Sequence, residues 1–396
     1  MSHENFQKWL DEVMSKIIKN LGMDVGNARY KLFDCTGIFI ASIVYRIRLQ
    51  FENKTNRQNE ELSIILKRPM PGLNQINRTD FQFHNEILFY RMFTRPDEIY
   101  AKCFYVEEQP PLGYVIALEN VNKRGYYACS CAYDPPMEYT LAAMRELGRF
   151  HGKGYVMKQL QPDKFFDIVE QIQEVRYTKR FTDNIYKFAC NIKALRAVEY
   201  LRSQGHDEIF CNKMEAFLSN AFDKVMIKTV EPLEPLATLC HGDFTISNIL
   251  FNTEDNGQYR PMLIDFALIR YSTPVVDLST YLYLCCSNEI RRNKFYHDAL
   301  KEYLLDAGIQ DVEKYSYDAL LDDFRRGAVF GFILMSIFVP ILLGHIDSEL
   351  LVREIKNFGP LESVNRQRYI GGDEISKMLA DALLHLRDLD CLKHVL

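Results

Sequence analysis

The chain has 396 residues, 47% of them hydrophobic, and 48 basic against 53 acidic residues give it a net charge of -5. A chain of this length and composition can bury a sizeable core without disulfide or metal staples. The acidic balance, with no long run of Lys and Arg, argues against nucleic acid and anionic membrane surfaces as partners.

The cysteines and the N-terminus indicate the compartment. Ten Cys are scattered through the chain, and the closest sets, Cys129 with Cys131 and Cys285 with Cys286, lack the second half that a zinc site needs. We therefore expect reduced, mostly buried thiols. Residues 1–23 mix charges through their apolar positions, which is not the pattern of a secretory signal. These features predict a cytoplasmic protein.

The first third of the chain is predicted to form a helix and an antiparallel sheet. Residues 5–22 place apolar side chains on one stripe at helical spacing, which predicts a docking helix. Residues 43–51 alternate apolar and polar side chains, as a half-buried strand does. Further signals predict strands at 63–67, 101–106 and 114–118, and a helix that starts at Thr79 or Asp80.

Beyond Asn120 the pattern is helical almost to the end. Amphipathic stretches lie at 138–155, 164–203, 211–228, 274–302, 316–345 and 373–391. One short hairpin interrupts them, with strands at 249–251 and 262–264 joined through an Asn256-Gly257 turn signal. The prediction is an α+β fold with a small antiparallel β-sheet N-lobe carrying one main helix at 1–120, and a large, mostly helical C-lobe at 121–396.

One apolar stretch has about the length that spans a bilayer. Residues 327–346 contain no formally charged side chain. Pro340 interrupts this stretch, and charged residues flank both of its ends. These features favour a buried central helix over a membrane span, so we expect no membrane insertion.

Two polar clusters border the predicted hairpin. His241-Gly242-Asp243 and Asn248 precede its first strand, and Asp265 follows its second. Phosphoryl transfer needs a carboxylate for the proton of the nucleophile and hard oxygen ligands for Mg²⁺. Asp and Asn in turns often form only Asx turns and helix caps. The combination of H-G-D-x4-N, a hairpin and I-D-F nevertheless favours a nucleotide phosphate site.

A kinase of this kind also needs a Lys on a small-lobe strand and an acid on the following helix. Lys67 ends the apolar run 63–66, and Glu86 lies on the next predicted helix. Alone, Lys67 would be an ordinary cation at a strand end and Glu86 an ordinary solvated acid. Together with the motif around Asp243, they are predicted to form an ion pair.

The sequence resembles a known family, the ecdysteroid kinase-like group in the choline kinase and aminoglycoside phosphotransferase branch of the protein-kinase-like fold. The resemblance covers nearly the whole chain. Its most specific part is HGD-x4-N with IDF. The other segments that carry it are the N-terminal WL helix, GIFIASIVYRI, IILK, HNEILFYRMF, LEN, RELGRFH, LIDFALIRYSTPVVDLSTYLY and the apolar helix near 330.

The resemblance implies a two-lobed protein-kinase-like fold that uses ATP and Mg²⁺. It implies Asp243 as the catalytic base and Asn248 and Asp265 as catalytic metal ligands. It also implies that Lys67 and Glu86 form the ion pair that binds the ATP phosphates.

The same resemblance implies a hinge at Glu119-Asn120-Val121, where backbone groups would bind the adenine edge; a plain linker is the alternative. Two segments depart from the expected pattern. Residues 36–42, which would cover the nucleotide, contain a single Gly, and Ala267 follows Asp265-Phe266 where a polar residue is expected.

Two further polar residues are left out of the predicted catalytic set. Asp277 stands at the start of an apolar helix, where it is expected to cap that helix or brace the catalytic loop. His151 is expected to be a satisfied helix histidine packed beneath the active site.

Several features argue against a protein kinase. Gly242 occupies a position where protein kinases usually carry Arg, and no A-P-E follows Asp265. Asp277 follows Asp265 by only twelve positions, which leaves little room for a peptide-binding segment. The helical insert at 156–235 is better suited to enclosing a small substrate.

The substrate is expected to be a small-molecule alcohol. The resemblance suggests a steroid hydroxyl, as in ecdysteroid 22-phosphorylation, or another apolar alcohol such as a xenobiotic, with choline or ethanolamine as the alternative. A quaternary amine needs an aromatic and acidic cage, whereas a steroid needs a long apolar cleft. A pseudokinase or binding module is a further alternative, but it predicts the loss of a primary group, and all are present: Lys67, Glu86, Asp243, Asn248 and Asp265.

Overall fold

The chain divides into two compact units, Met1–Tyr126 and Tyr127–Leu396. The structure, a computed structural model, describes residues 3–22, 25–38, 42–53, 57–70, 78–95, 98–110, 113–180, 184–287 and 295–396. The boundary follows Tyr126, a few residues beyond the predicted position.

The described elements of the first unit are helix α1 (His3–Asn20), strands β1 (Val25–Ile38), β2 (Ser42–Asn53) and β3 (Asn59–Pro69), helix α2 (Thr79–Leu88) continued by a π-helical turn (Phe89–Phe93), and strands β4 (Cys103–Gln109) and β5 (Gly113–Glu119). The five strands form an antiparallel sheet with the order β1-β2-β3-β5-β4. The predicted antiparallel sheet and its main helix are confirmed.

Helix α1 packs its apolar stripe on this sheet. Leu10, Met14 and Ile17 are fully buried in one cluster with Ile47 and Leu66 of the two central strands. Burial of each such side chain contributes about 1.5 to 3 kcal/mol. The amphipathic pattern of residues 5–22 therefore has the docking role that the sequence predicts.

Strand β1 was not predicted from the sequence. It pairs with β2, but the register shifts between Gly26 and Arg29, between Leu32 and Asp34, and again after Cys35. Each irregularity reverses the alternation of side chains between the two faces. The period of two that identifies a strand is therefore lost along β1, although the strand itself is long.

The second unit is mostly helical. Its helices are α3 (Met137–Leu160), α4 (Pro162–Gln171), α5 (Ile185–Ile192), α6 (Leu195–Ser203), α7 (Glu208–Leu218), α8 (Ile227–Val230), α9 (Val275–Cys285), α10 (Phe295–Asp306), α11 (Tyr317–Gly327), α12 (Val329–Leu342), α13 (Ser348–Phe358), α14 (Pro360–Arg366) and α15 (Gly372–Asp388). Of the predicted helical stretch 274–302, residues 288–294 lie outside the described residues.

Short strands separate α8 from α9. They are β7 (Thr238–Cys240), β8 (Ile249–Thr253), β9 (Tyr259–Leu263) and β10 (Arg270–Ser272), while β6 (Tyr127–Ala128) lies near the start of the unit. β8 and β9 form the predicted hairpin, and β6 adds to its edge. β7 pairs with β10. The hairpin is confirmed.

The predicted helical stretch 164–203 is broken. Helix α4 ends at Gln171, and α5 begins only after Asn184, whose side chain caps it by accepting from the N–H of Tyr186. Between them, the Glu174 carboxylate accepts from the backbone N–H groups of Arg176 and Tyr177. These side-chain bonds replace the helical ones and hold a loop over 172–180.

The apolar stretch near 330 forms the buried helix α12. Gly331 permits close packing, because a Cβ there would lie 2.1 Å from the carbonyl oxygen of Ser279 in α9. Within the described residues no single helix has the length and composition to cross a membrane. The segment Glu313–Gly327 and α12 meet that criterion only as a pair, and the pair is bent by 53°.

Candidate active site

The loop after β7 carries the sequence His241-Gly242-Asp243. Gly242 has a φ of 80°, and a Cβ at this position would lie 1.8 Å from the carbonyl oxygen of Leu268. A side chain is excluded both by the left-handed backbone and by this contact. The glycine of the motif is therefore required by the path of the loop.

Asp277, in the first turn of α9, anchors the same loop from below. Its Oδ1 accepts from the N–H of Gly242 at 2.7 Å, and its Oδ2 accepts from the N–H of His241 at 2.7 Å and from Nε2 of His151 at 2.9 Å. Asp277 and His151 are both fully buried. Both residues thus support the loop, as the sequence predicts.

The pKa of Asp277 is set by opposing effects. Burial alone would raise the pKa of this carboxyl group, but the hydrogen bond and charge of His151, the charge of His241 and the N–H of Gly242 together lower it below its ordinary value. Asp277 is therefore ionised at neutral pH, in the form that accepts all three hydrogen bonds.

Asp243 and Asn248 are held together at the end of the loop. Nδ2 of Asn248 donates to the backbone carbonyl of Asp243 at 2.8 Å and to its Oδ2 at 3.2 Å. The side chain of Asp243 remains 35% exposed, so its carboxylate is accessible to a small molecule. Because the amide nitrogen of Asn248 faces Asp243, its amide oxygen is directed elsewhere.

Asp265 is positioned by the far end of the hairpin. The N–H of Ile264 donates to the carbonyl oxygen of Asn248 at 3.0 Å, so Asp265 follows the residue that is bonded to Asn248. Nε2 of His241 donates to the carbonyl oxygen of Ile264 at 3.0 Å. Asp265 itself has a φ of 65°, a left-handed conformation that is uncommon for residues other than Gly, although Asp and Asn adopt it more often than most. The structure thus brings Asp243, Asn248 and Asp265 to one group of loop ends.

The donor set of this group fits Mg²⁺. Asp265 offers carboxylate oxygens. Asn248 offers its amide oxygen, because the nitrogen of the same amide is already hydrogen-bonded to Asp243. Hard oxygen ligands of this kind are what Mg²⁺ prefers, together with waters and substrate phosphates. A Cys or His ligand set would have indicated a different metal.

In the first unit, Lys67 and Glu86 form a buried ion pair. Nζ of Lys67, on β3, lies 2.6 Å from Oε2 of Glu86, on α2. The two side chains are 10% and 2% exposed. Two charges buried this deeply are costly unless they are paired, and removal of either leaves the other uncompensated.

Glu119 and Val121 stand where β5 ends. The N–H of Glu119 donates to the carbonyl of Lys102 at 2.8 Å, and its carboxylate accepts from the N–H of Lys102 and from Nη1 of Arg124, both at 3.2 Å. Val121 is buried and begins a short 3₁₀ turn, Val121–Arg124. The Glu119 side chain is therefore occupied within its own unit.

The two departures noted in the sequence belong to different units. Thr36, Gly37 and Ile38 end β1 and Ser42 begins β2, while 39–41 lie outside the described residues. Ala267 follows the Asp265 turn, and Phe266 beside it is fully buried against His241, with ring centroids 5.0 Å apart.

One charged residue beside Asp243 was not predicted from the sequence. Nη1 of Arg176, in the loop between α4 and α5, lies 3.9 Å from Oδ1 of Asp243. No local motif marks Arg176, because its proximity to Asp243 depends on the packing of distant segments.

A second cluster has ligand-like spacing. The ligand atoms of His151, Cys240 and Asp277 lie within 4.8 Å of one another in the described chain. Asp277 is already occupied by its three hydrogen bonds, and Sγ of Cys240 is 3.4 Å from the carbonyl oxygens of Ser272 and Thr273. These contacts explain the cluster as support for the loop, and we assign it no metal.

Comparison with known families identifies the class of protein. A model of the ecdysteroid kinase-like family matches residues 37–308, which is more than half of the chain. The chain therefore belongs to the ecdysteroid kinase-like family. Membership of this family makes it a small-molecule phosphotransferase with an alcohol group as acceptor, and its sheet-containing first unit and mostly helical second unit agree with the predicted α+β fold.

Similar solved structures share little sequence with the chain. An ethanolamine kinase of Plasmodium vivax is 12% identical with a TM-score of 0.44, and the match covers 91% of this chain and 83% of that one. The GDP complex of wild-type aminoglycoside 2'-phosphotransferase-IIIa is 12% identical with a TM-score of 0.44, and the match covers 93% of this chain and 98% of that one. A search of curated proteins found no match.

Proposed function

We propose that the chain transfers the γ-phosphate of ATP to a hydroxyl group of an apolar alcohol, an ecdysteroid or a related steroid or xenobiotic. The observation that carries this proposal is the hydrogen bond from Ile264 to Asn248 at 3.0 Å. Through it, the residue that precedes Asp265 is bonded to Asn248, whose side chain is bonded to Asp243. This is the set of oxygen ligands and base that phosphoryl transfer requires.

Asp243 acts as the general base. The acceptor hydroxyl gives its proton to the Asp243 carboxylate, and its oxygen forms a bond to the γ-phosphorus. The bond from the γ-phosphorus to the bridging oxygen breaks, and its electron pair stays on ADP. Asn248 holds Asp243 through the hydrogen bond to Oδ2 at 3.2 Å, which keeps the carboxylate in one orientation.

Asn248 and Asp265 would hold Mg²⁺ through their side-chain oxygens. When bound, the ion neutralises charge on the phosphate groups of ATP. Asp277 and His151 act below them by keeping the loop from 241 to 243 in place.

Lys67 binds the ATP phosphates, and Glu86 orients Lys67. In support, the Nζ to Oε2 distance of 2.6 Å fixes the ammonium group at the end of a buried side chain. Main-chain groups of Glu119 and Val121 bind the adenine edge. In this proposal, residues 1–120 are the nucleotide-binding lobe and 121–396 the catalytic one. All the primary groups are present, which favours an active enzyme over a pseudokinase.

The surroundings of Asp243 favour a neutral, apolar acceptor over choline or ethanolamine. The cation beside Asp243 is Arg176, whose guanidinium carbon lies 4.9 Å from the ring centroid of Tyr186 and 5.8 Å from that of Phe338. An ammonium substrate would meet a like charge here, whereas a neutral alcohol would not. The nine described cysteine side chains are free thiols, which fits the proposed cytoplasmic location.

The test is a substrate screen on the purified full chain with ATP and Mg²⁺. Acceptors are ecdysteroids, other steroid alcohols, apolar plant alcohols, choline, ethanolamine and an aminoglycoside, and the readout is the phosphate ester by mass spectrometry. We expect ester from ecdysteroids or other apolar alcohols. Ester formation from choline or ethanolamine alone would overturn the proposed substrate class. Wild-type ATP binding without ester from any acceptor would count against the proposed reaction.

A further inference from the structure

The proposed catalytic loop contains no Lys or Arg side chain that could face the phosphoryl group. Residues 241–248 include neither Lys nor Arg. Thr245, two positions after Asp243, is a neutral residue whose hydroxyl group shares a hydrogen bond of 2.8 Å with the hydroxyl group of Ser247. Negative charge nevertheless accumulates where a base carboxylate and a phosphoryl group approach each other, and enzymes of this reaction class place cations there. A cation from another segment would have to serve this purpose.

Arg176 is the cation that lies beside Asp243. The distance of 3.9 Å between Nη1 and Oδ1 is short enough for an ion pair and too long for a hydrogen bond. Oδ2 of Asp243 is bonded to Asn248, so Arg176 faces the other carboxylate oxygen. The two charges thus attract each other without a direct hydrogen bond between them.

The guanidinium group of Arg176 is mostly buried and not fully satisfied. The side chain is 12% exposed, and Nε has no hydrogen-bond partner among the described residues. Burying a charged donor without a partner is unfavourable. A ligand, an ion, a water molecule or a catalytic role can account for such a group.

The loop that carries Arg176 is rigidly held. Two backbone N–H groups, of Arg176 and Tyr177, donate to Oε1 of Glu174 at 2.9 Å each, and Nδ2 of Asn184 donates to the carbonyl of Arg176 at 2.7 Å. The faces of Tyr186 and Phe338 border the guanidinium group. Arg176 is therefore presented to Asp243 in a fixed position.

We propose that Arg176 is a further catalytic residue, which donates hydrogen bonds to the non-bridging oxygens of the phosphoryl group during its transfer. This inference rests on the proposed function. The acceptor proton still passes to Asp243, the acceptor oxygen bonds to the γ-phosphorus, and ADP leaves with the electron pair of the broken bond. Arg176 keeps its protons throughout, because its guanidinium does not lose them in proteins.

The chemistry of the guanidinium group suits this role. Its planar fork of N–H donors matches the oxygens of a phosphoryl group better than a point charge does. An acceptor hydroxyl within hydrogen-bonding distance of Oδ1 of Asp243 is also next to Nη1 of Arg176. The same cation reduces the repulsion between the Asp243 carboxylate and the phosphoryl group.

The test compares Arg176→Gln and Arg176→Lys with wild type, and Arg180→Gln serves as the matched control. Arg180 lies in the same loop and is exposed. We expect Arg176→Gln to lower kcat by about 10²- to 10³-fold with little change in the KM for ATP. Arg176→Lys should retain part of the rate, added guanidine hydrochloride should restore part of it in Arg176→Gln, and Arg180→Gln should match wild type.

A second readout does not depend on turnover. Calorimetry measures the binding of ADP with Mg²⁺, with and without tetrafluoroaluminate, which mimics the transferred phosphoryl group. Arg176→Gln should weaken binding of the tetrafluoroaluminate complex by a similar factor and leave ADP binding unchanged. Equal binding of that complex by Arg176→Gln and wild type would overturn the inference, as would a loss of ADP binding or of melting temperature that accompanies the loss of rate.

The outcomes separate the inference from the function on which it rests. If wild type phosphorylates an apolar alcohol and Arg176→Gln does so equally fast, the inference fails and the proposed function stands. If the tetrafluoroaluminate complex binds in an Arg176-dependent way but no apolar alcohol is phosphorylated, the substrate class fails and the inference stands. If wild type neither phosphorylates an apolar alcohol nor gains affinity from tetrafluoroaluminate, both fail.

Discussion

Oδ1 of Asp277 accepts a hydrogen bond from the N–H of Gly242 at 2.7 Å, so the buried start of a helix determines the path of the catalytic loop. The same carboxylate bonds the N–H of His241 and the ring of His151. Asp243, the next residue along the loop, inherits its position from this arrangement. We therefore expect a substitution of Asp277 to change both stability and activity.

Asp277→Asn should destabilise the second unit in a pH-dependent way. The folded pKa of Asp277 lies below its ordinary value, so the unfolded chain binds the proton more readily than the folded chain. The stabilisation by Asp277 is complete above the unfolded pKa, about 3.9, and is lost as pH falls through the folded pKa.

Urea unfolding at several pH values measures this effect. Relative to wild type, Asp277→Asn should lose about 1 to 3 kcal/mol near neutral pH, and the difference should shrink on acidification below about pH 4. Asp311→Asn, at an aspartate that is 71% exposed, is the control and should show almost no difference. A difference that grows on acidification would contradict the assigned charge state.

Gly242→Ala should disrupt the catalytic loop. The new Cβ would require a φ of 80° and would lie 1.8 Å from a backbone oxygen that cannot move freely. Gly257→Ala is the matched control, because Gly257 has the same φ of 80° but nothing within 4 Å of an added Cβ. Melting temperature and phosphotransfer rate should both fall much further for Gly242→Ala. Equal losses in the two variants would mean that the backbone conformation alone, and not the contact of the new Cβ, determines the cost of the substitution.

Lys67→Met should destabilise the first unit by about 3 to 5 kcal/mol, because it leaves the Glu86 charge buried without its partner. The double variant Lys67→Met with Glu86→Leu should recover much of this loss while ATP binding stays weak. The Lys16 to Glu107 pair is a matched control: it is equally short at 2.7 Å, but Lys16 is 47% exposed. Lys16→Met should cost about 1 kcal/mol or less.

Chemical denaturation and ATP titration measure the two consequences of the Lys67 substitution separately. If the double variant bound ATP as tightly as wild type, Lys67 would have no part in holding the phosphates. If Lys67→Met and Lys16→Met had equal cost, burial of the Lys67 pair would not matter energetically.

Local patterns made the hairpin and the polar motif predictable. The Asn256-Gly257 signal lies between two short apolar runs, and Asp243, Asn248 and Asp265 lie close to those runs in the sequence. Their convergence therefore needed only the hairpin to form. The bulged strand β1 was missed because its register shifts cancel the alternation that identifies a strand.

Arg176 illustrates what a sequence pattern does not contain. It lies in a break that looks helical by composition, and Glu174 closes that break by a side-chain hydrogen bond. Its place beside Asp243 results from tertiary packing between segments that are far apart in the chain. Neither the hydrophobic periodicity of the sequence nor a local sequence motif indicates such a contact.

The most direct test of the central claim follows the γ-phosphate of labelled ATP into an apolar alcohol in the presence of Mg²⁺. Wild type should place the label on the alcohol hydroxyl, and Asp243→Ala should lower the rate by about 10²- to 10⁴-fold while ATP binding and melting temperature stay close to wild type. Asp255→Ala, in the exposed hairpin turn, should retain the full rate. Label transfer by Asp243→Ala at the wild-type rate, or no transfer to alcohol by a wild-type chain that binds ATP, would contradict the claim.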